Sequence, residues 1–151
     1  MAARIPLVAE RGYHAMMPQP GVAMQISTLW EERKVICTPM EHGLRASGIA
    51  GFAVREAPRR YALGERLKRS ALALIPGLKD AGTTQSMGRR AVTPDYLPVI
   101  GRAPRHPNVI FAFGHGHSGY NPGPATGRLV GEITSGRTPN IDITPYRPDR
   151  F

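Results

Sequence analysis

The sequence predicts an α+β fold: a mixed, largely antiparallel sheet with two main helices. Three observations predict it. Short apolar runs recur at close intervals as far as Phe52, each closed by a proline, glycine or polar turn. Apolar residues at helical spacing then run from Leu63 to Leu78. Near the end an apolar run, a glycine-rich turn and a second helical stretch follow one another.

The first strand is read through Tyr13 and His14 to Met17, and Pro18-Gln19-Pro20-Gly21 turns the chain. Val22 to Leu29 reads as the returning strand, and Glu31-Glu32-Arg33 as a polar turn. Lys34 to Pro39 is a third strand. Leu44 to Phe52 is a fourth, weakened by Gly48 and Gly51. Leu63, Leu67, Ala71 and Leu74 place an apolar stripe on one helix that covers the sheet, and Pro76-Gly77 ends it, leaving Leu78 just beyond. Composition shifts at Pro58, where the helical stretch begins, and the stretch from Thr83 to Gly101 carries alternation. The expected division is therefore residues 1–82, a sheet with its covering helix, and residues 83–151, with the two packing as one unit.

The later segment centres on Gly114-His115-Gly116-His117-Ser118-Gly119. Asn108 to Phe113 before it reads as a buried strand. After it, Asn121 is placed to cap a helix that Pro122 or Pro124 opens and that runs to about Ser135. Glycines let the backbone turn with positive φ, and a helix start brings partial positive charge, so the stretch suits an electron-rich group. The spacing fits G-x-G-x-x-G, yet no second parallel strand with an acidic end follows, which a Rossmann unit needs. An ordinary glycine turn stays open as an alternative. Gly123, Gly127 and Gly131 recur every four residues and line one helix face, which suits close approach by another backbone or close helix–sheet packing.

The net charge of +9 comes from scattered pairs such as Arg59-Arg60 and Arg89-Arg90, without interleaved aromatics, so nucleic acid is not an expected partner. One cysteine, Cys37, excludes an internal disulfide and suggests a reducing compartment. No apolar run approaches the roughly 20 residues of a spanning helix, and no h-region of a signal peptide is present. The cytoplasm is the expected location, with the inner-membrane surface as a second setting. His115 and His117 lack companions at zinc spacing, and Ser118 is not in a G-x-S-x-G elbow, so metal and hydrolase chemistry have little support. Arg90 stands in a segment suited to burial. It needs either an internal partner, with Asp95 the candidate, or a carboxylate ligand for its planar fork.

Several motifs occur in the order of one family: Arg11-Gly12-Tyr13-His14, Thr38-Pro39-Met40-Glu41 with Gly43-Leu44-Arg45, Thr93-Pro94-Asp95 with Leu97-Pro98-Val99-Ile100-Gly101, GHGHSG with Pro124-Ala125-Thr126-Gly127-Arg128-Leu129, and the closing Arg150-Phe151. The chain resembles the C-terminal portion of D-amino-acid dehydrogenases of the DAO-type FAD-dependent oxidoreductases. The resemblance implies a substrate domain followed by a C-terminal segment that contacts flavin. It implies that Gly114, His115, Gly116, His117, Ser118 and Gly119 bind FAD, that Arg90 pairs with a substrate carboxylate, and that Tyr13 and His14 border the substrate cavity. In such enzymes a D-amino acid or related amine gives up hydride to flavin, and the imino product hydrolyses to a keto acid and ammonia.

Where relatives often carry tryptophan, this chain has Ser86 or Met87. Ala91 replaces a proline, and Tyr120-Asn121-Pro122 replaces a more apolar run. No βαβ unit with a fingerprint loop precedes Tyr13, so the nucleotide-binding half is missing from this sequence. The chain reads as a piece of the enzyme, a truncated product or one subunit of a split protein. Alone it is expected to hold FAD weakly or not at all, and to meet a missing half or a second copy of itself. The alternative is a non-catalytic remnant that binds an anion or a partner chain.

Overall fold

The computed structural model describes residues 4–54 and 56–151. They form two units. One is Arg11–Arg89, and the other joins the residues before Arg11 to Arg90–Phe151.

The unit Arg11–Arg89 is built on a five-stranded sheet of order β2-β3-β4-β1-β5. Its strands are β1 (Val8–Met17), β2 (Thr28–Trp30), β3 (Val35–Met40), β4 (Gly43–Ala53) and β5 (Thr84–Val92), so β1 begins and β5 ends in the other unit. β2, β3 and β4 pair antiparallel, with Cys37 opposite Ala46 and Thr38 opposite Arg45. Alternation sends Tyr13, Ala15 and Met17 of β1, Val35 and Cys37 of β3, and Leu44 and Ala46 of β4 to one face, where all are buried. Helix α1 (Tyr61–Leu74) presents Leu67 and Ala71 to the same core. Ile75 closes it and Leu78 packs beyond the Pro76-Gly77 break. Burial pushes the Cys37 thiol up to about 11.

Arg11 is the largest fully buried side chain of this unit. Its guanidinium donates to the carbonyls of Val54, Ala57 and Pro58 at 2.7, 2.6 and 2.8 Å, and so fixes the chain between β4 and α1. Gly48 does more than weaken β4. Its φ is +132°, and a Cβ there would collide with the Lys34 carbonyl oxygen, so glycine is required at that crossing.

The second unit holds a two-stranded antiparallel sheet, β6 (Val99–Ala103) with β7 (His106–Phe113), and helix α2 (Gly123–Thr134). Ile100, Leu129 and Ile133 form its core, joined by Ile110, Ile143 and Tyr146. Arg102 donates to the Pro107 and Ile133 carbonyls, both at 2.6 Å, and so satisfies an open carbonyl near the C-terminus of α2.

Four expectations need correction. Val22 to Leu29 is not a strand. Only Thr28–Trp30 pairs, while Val22 and Met24 reach the core from irregular chain that is tied back where Lys79 N–H donates to the Pro20 carbonyl. β7 is not buried, because a two-stranded sheet leaves one side of it uncovered, and Val109 is 45% exposed. Asn121 does not cap α2. Pro122 occupies that position without a side-chain cap, and Pro124 stands in the first turn. Gly131 does not mark helix–sheet packing, since a Cβ at Gly123, Gly127 or Gly131 would meet nothing within 4 Å.

Candidate functional site

The glycine loop is shaped by the strand that precedes it. β7 ends at Phe113, and Gly114 turns the chain with φ +81°. A Cβ at Gly114 would lie 3.3 Å from Thr93 Cγ2, so the loop backbone packs directly on the Thr93 segment. His115 then bridges to Val92, the last residue of β5. Gly116 to Ser118 forms one tight helical turn, and Gly119, despite matching the third glycine of the pattern, takes an ordinary helical φ of −56°. The chain enters α2 four residues later, with no side-chain cap and no acidic residue in its first turn. The partial positive charge of that helix start is therefore unopposed locally.

His115 is half-buried, with its Nε2 2.9 Å from Thr126 Oγ1 on α2. Burial lowers its pKa, so the imidazole is neutral near pH 7 and its ring is fixed by this hydrogen bond. His117 and Ser118 are exposed, and Tyr120 projects with 96% of its surface free. Beside the loop lies a cavity of about 340 Å³. His115, His117, Thr126, Leu129, Tyr96 and Tyr146 are among the residues that line it. Its lining is mostly apolar, with a few polar groups converging from the loop. No group of three or more metal-binding side chains exists among the described residues.

Arg90 does not reach Asp95. Its Nη1 donates to Glu10 Oε1 at 2.8 Å, and Asp95 is held by Arg150 instead. The Arg90 side chain is 38% exposed and that of Glu10 only 8%, so the segment is less buried than its sequence implies. Nε and Nη2 of Arg90 have no partner among the described residues. Arg90 is two residues before Val92, so both side chains leave the same face of β5. Val92 Cγ1 would lie 3.0 Å from a Cβ at Gly116, which places Arg90 one pleat from the glycine loop.

Tyr13 and His14 are neighbours on β1 and point to opposite faces. Tyr13 is in the core, where its hydroxyl accepts the Arg60 N–H at 3.2 Å just before α1. His14 lies on the other face. Burial first, and the Arg45 charge second, lower its pKa. Thus Arg90 and the loop residues come together, whereas Tyr13 and His14 do not share a cavity. Glu10 was missed at the level of sequence, although it shares a strand face with His14 by simple alternation.

The chain matches the family model described as FAD dependent oxidoreductase, DAO, over residues 1–133. It is 35% identical to a D-amino-acid oxidase of Bradyrhizobium diazoefficiens over 97% of its own length and 36% of that protein. Among solved structures it is similar to glycine oxidase from Geobacillus kaustophilus, with a TM-score of 0.79 and 19% identity over 98% of this chain and 40% of that one. It is also similar to iminodiacetate oxidase from Chelativorans sp. BNC1, with a TM-score of 0.77 and 24% identity over 96% of this chain and 40% of that one. The chain thus spans well under half the length of these relatives.

Proposed function

Because this chain belongs to the DAO family of FAD-dependent oxidoreductases, we propose that it supplies the flavin-facing loop and the carboxylate anchor of an enzyme that oxidises D-amino acids or related amines. The 35%-identical relative, a D-amino-acid oxidase, favours the D-configured substrate. The observation that carries the reading is the placement of Arg90. Glu10 engages one of its nitrogens and leaves Nε and Nη2 unpartnered, on the strand face that Val92 shares, beside the glycine loop.

The residues present fit the ring end of FAD. Gly114 and Gly116 take positive φ, the start of α2 is uncapped, and the adjoining cavity is largely apolar. Gly114 to Gly119 would hold the flavin there through backbone N–H groups, which suits a group that gathers negative charge. When bound, flavin supplies the acceptor for a hydride from the substrate α-carbon.

The chain's own residues do the rest. The free side of the Arg90 fork takes the substrate carboxylate with parallel hydrogen bonds and so orients the α-carbon. Glu10, buried and paired, keeps the fork from swinging to another partner. Neutral His115, held by Thr126, keeps the loop backbone in place without adding a charge that competes for the substrate.

The test is steady-state oxidation of D-amino acids by the flavin-loaded protein that carries this segment. Arg90→Lys keeps the charge and loses the fork, so kcat/KM falls on the order of a hundredfold, or about 3 kcal/mol. Arg90→Ala falls further, while flavin content stays near wild type. Full activity in Arg90→Lys would overturn the carboxylate anchor. A drop in thermal midpoint with unchanged activity per folded molecule would make the Arg90–Glu10 pair structural only.

A further inference from the structure

Helix α1 buries Gly64, Leu67, Ser70 and Ala71 and turns its other side to solvent. That side carries Ala62, Arg66, Arg69 and Ala73, all exposed. They are spaced by four, three and four residues, so they form one stripe along the helix. Arg59 and Arg60, also exposed, come just before the first turn. A basic ridge thus begins ahead of α1 and follows its outer face.

The ridge works against the helix that carries it. Arg66 and Arg69 are like charges one turn apart, which a helix resists. Arg60 stands at the N-cap with Arg59 before it and no acid in the first turn, although a helix start already carries partial positive charge. Arg59, Arg60, Arg66 and Arg69 form no ion pair among the described residues. Arg59 donates to the Tyr61 hydroxyl at 3.2 Å. Glu65, the acid of α1 itself, is drawn to the flank, 3.1 Å from Lys68 Nζ, where it also accepts from Gln85 Nε2 at 3.3 Å. Lys68 in turn reaches Asp80 at 2.8 Å. Glu56, exposed ahead of the helix, joins no ion pair among the described residues. Local preferences broken together, without compensation inside the chain, mark a surface that meets something outside it.

We propose that the outer face of α1 docks an acidic helix of a partner protein. Each arginine fork takes a carboxylate through parallel hydrogen bonds. Ala62 and Ala73, small side chains at either end of the stripe, let a second helix approach closely. The spacing is that of a helix–helix seam, so partner carboxylates that recur in the same way meet the ridge in register. A second copy of this chain does not fit, because its α1 would set arginine against arginine. A lipid surface fits less well, because the apolar side that an interfacial helix inserts is here buried through Leu67 and Ala71. The ridge lies within Arg11–Arg89 and holds neither Arg90 nor the glycine loop, so it stands or falls separately from the oxidase reading.

The experiment titrates the full chain into a labelled synthetic peptide and follows fluorescence anisotropy. The peptide is an alanine-rich helix with glutamates on one face at the spacing of the ridge. A second peptide of the same composition scatters its glutamates around the helix. The striped peptide is expected to bind saturably, about fivefold or more tighter than the scattered one, and to weaken as salt rises. In Arg66→Gln/Arg69→Gln, checked for folding by its thermal midpoint, affinity for the striped peptide falls about tenfold or more. Arg33→Gln/Arg105→Gln removes the same charge from two other exposed positions and leaves affinity within about twofold. Equal binding of the two peptides would overturn the proposal, as would equal losses in the two double variants, which would reduce the effect to net charge. Vesicles of phosphatidylcholine with phosphatidylglycerol are the remaining arm. Vesicle binding that Arg66→Gln/Arg69→Gln abolishes, with no saturable binding of the striped peptide, would assign the ridge to a membrane instead.

Discussion

Arg150 closes the second unit on Asp95. Its Nε and Nη2 lie 2.8 and 3.2 Å from the two carboxylate oxygens, and Nη2 also donates to the Leu97 carbonyl at 2.8 Å. The two residues are 55 positions apart, so the pair ties Arg150 to the segment whose Tyr96, Leu97 and Pro98 line the cavity. Asp95 in turn accepts the Leu97 N–H, and the Thr93 hydroxyl donates to the Leu97 carbonyl, which shapes that turn from within.

This pair gives an acid-dependent stability. Arg150 first, and the Leu97 N–H after it, hold the Asp95 carboxyl well below the usual range. A depressed folded pKa means the contribution is fully present above the ordinary aspartate value of about 4 and is lost as pH falls through the folded one. Arg150→Gln is expected to lower stability by about 1 kcal/mol near neutrality, a figure kept small because Asp95 is partly exposed. The difference from wild type in thermal midpoint should shrink as pH is lowered below about 4. A constant difference across that range would show that Asp95 is not the titrating partner.

The core beneath α1 makes a larger demand. Leu67 is wholly buried between the helix and the sheet. Leu67→Ala should destabilise the chain by about 2–5 kcal/mol, the sum of lost transfer energy and the cavity left behind. Urea unfolding measures it, and a loss under about 1 kcal/mol would mean that the site collapses freely.

Affinity for FAD tests how much of the cofactor site lies within these residues. The glycine loop and the start of α2 address the ring end, and no glycine fingerprint opens a βαβ unit among the described residues. Isothermal titration of the chain with FAD should give weak binding or none, since the diphosphate lacks its main helix N-terminus. Submicromolar affinity would mean that this chain holds the cofactor by itself.

The open face of α2 should promote self-association. Gly123, Gly127 and Gly131 meet nothing there, so a second backbone can come close. Analytical ultracentrifugation should show concentration-dependent dimers that Gly127→Glu abolishes. A monomer at high concentration in the wild type removes the idea.

Local signals explain what the sequence revealed. α1 was legible because Leu63, Leu67, Ala71 and Leu74 repeat at helical spacing and Pro76-Gly77 stops them. The β3–β4 pair was legible because the polar turn at Glu41-His42 separates two apolar runs. Val22 and Met24 misled, since their spacing suits a strand while the proline-rich turn before them commits the backbone elsewhere. The burial of β7 was misjudged because Val109, Ile110 and Phe111 look like core, and only the strand count of its sheet says otherwise.

The candidate site divided along the same line. The glycine loop announces its own geometry, so Gly114 and Gly116 could be read directly. The Arg90–Glu10 pair could not, because the residues are 80 positions apart and every other acid of the sequence, Asp95 among them, lies nearer to Arg90.

The burial of Cys37 has a kinetic consequence. Its side chain has no exposed surface in the native unit, and its thiol resists ionisation. A thiol-reactive probe must therefore wait until β3 is released before thiolate forms at an ordinary rate. As the sole thiol in the chain, Cys37 makes each labelled molecule a record of one opening of the Arg11–Arg89 unit. The protein thus carries a built-in clock for its own breathing, placed in the core beneath α1 by the same alternation that puts Thr38 and Arg45 on the other side.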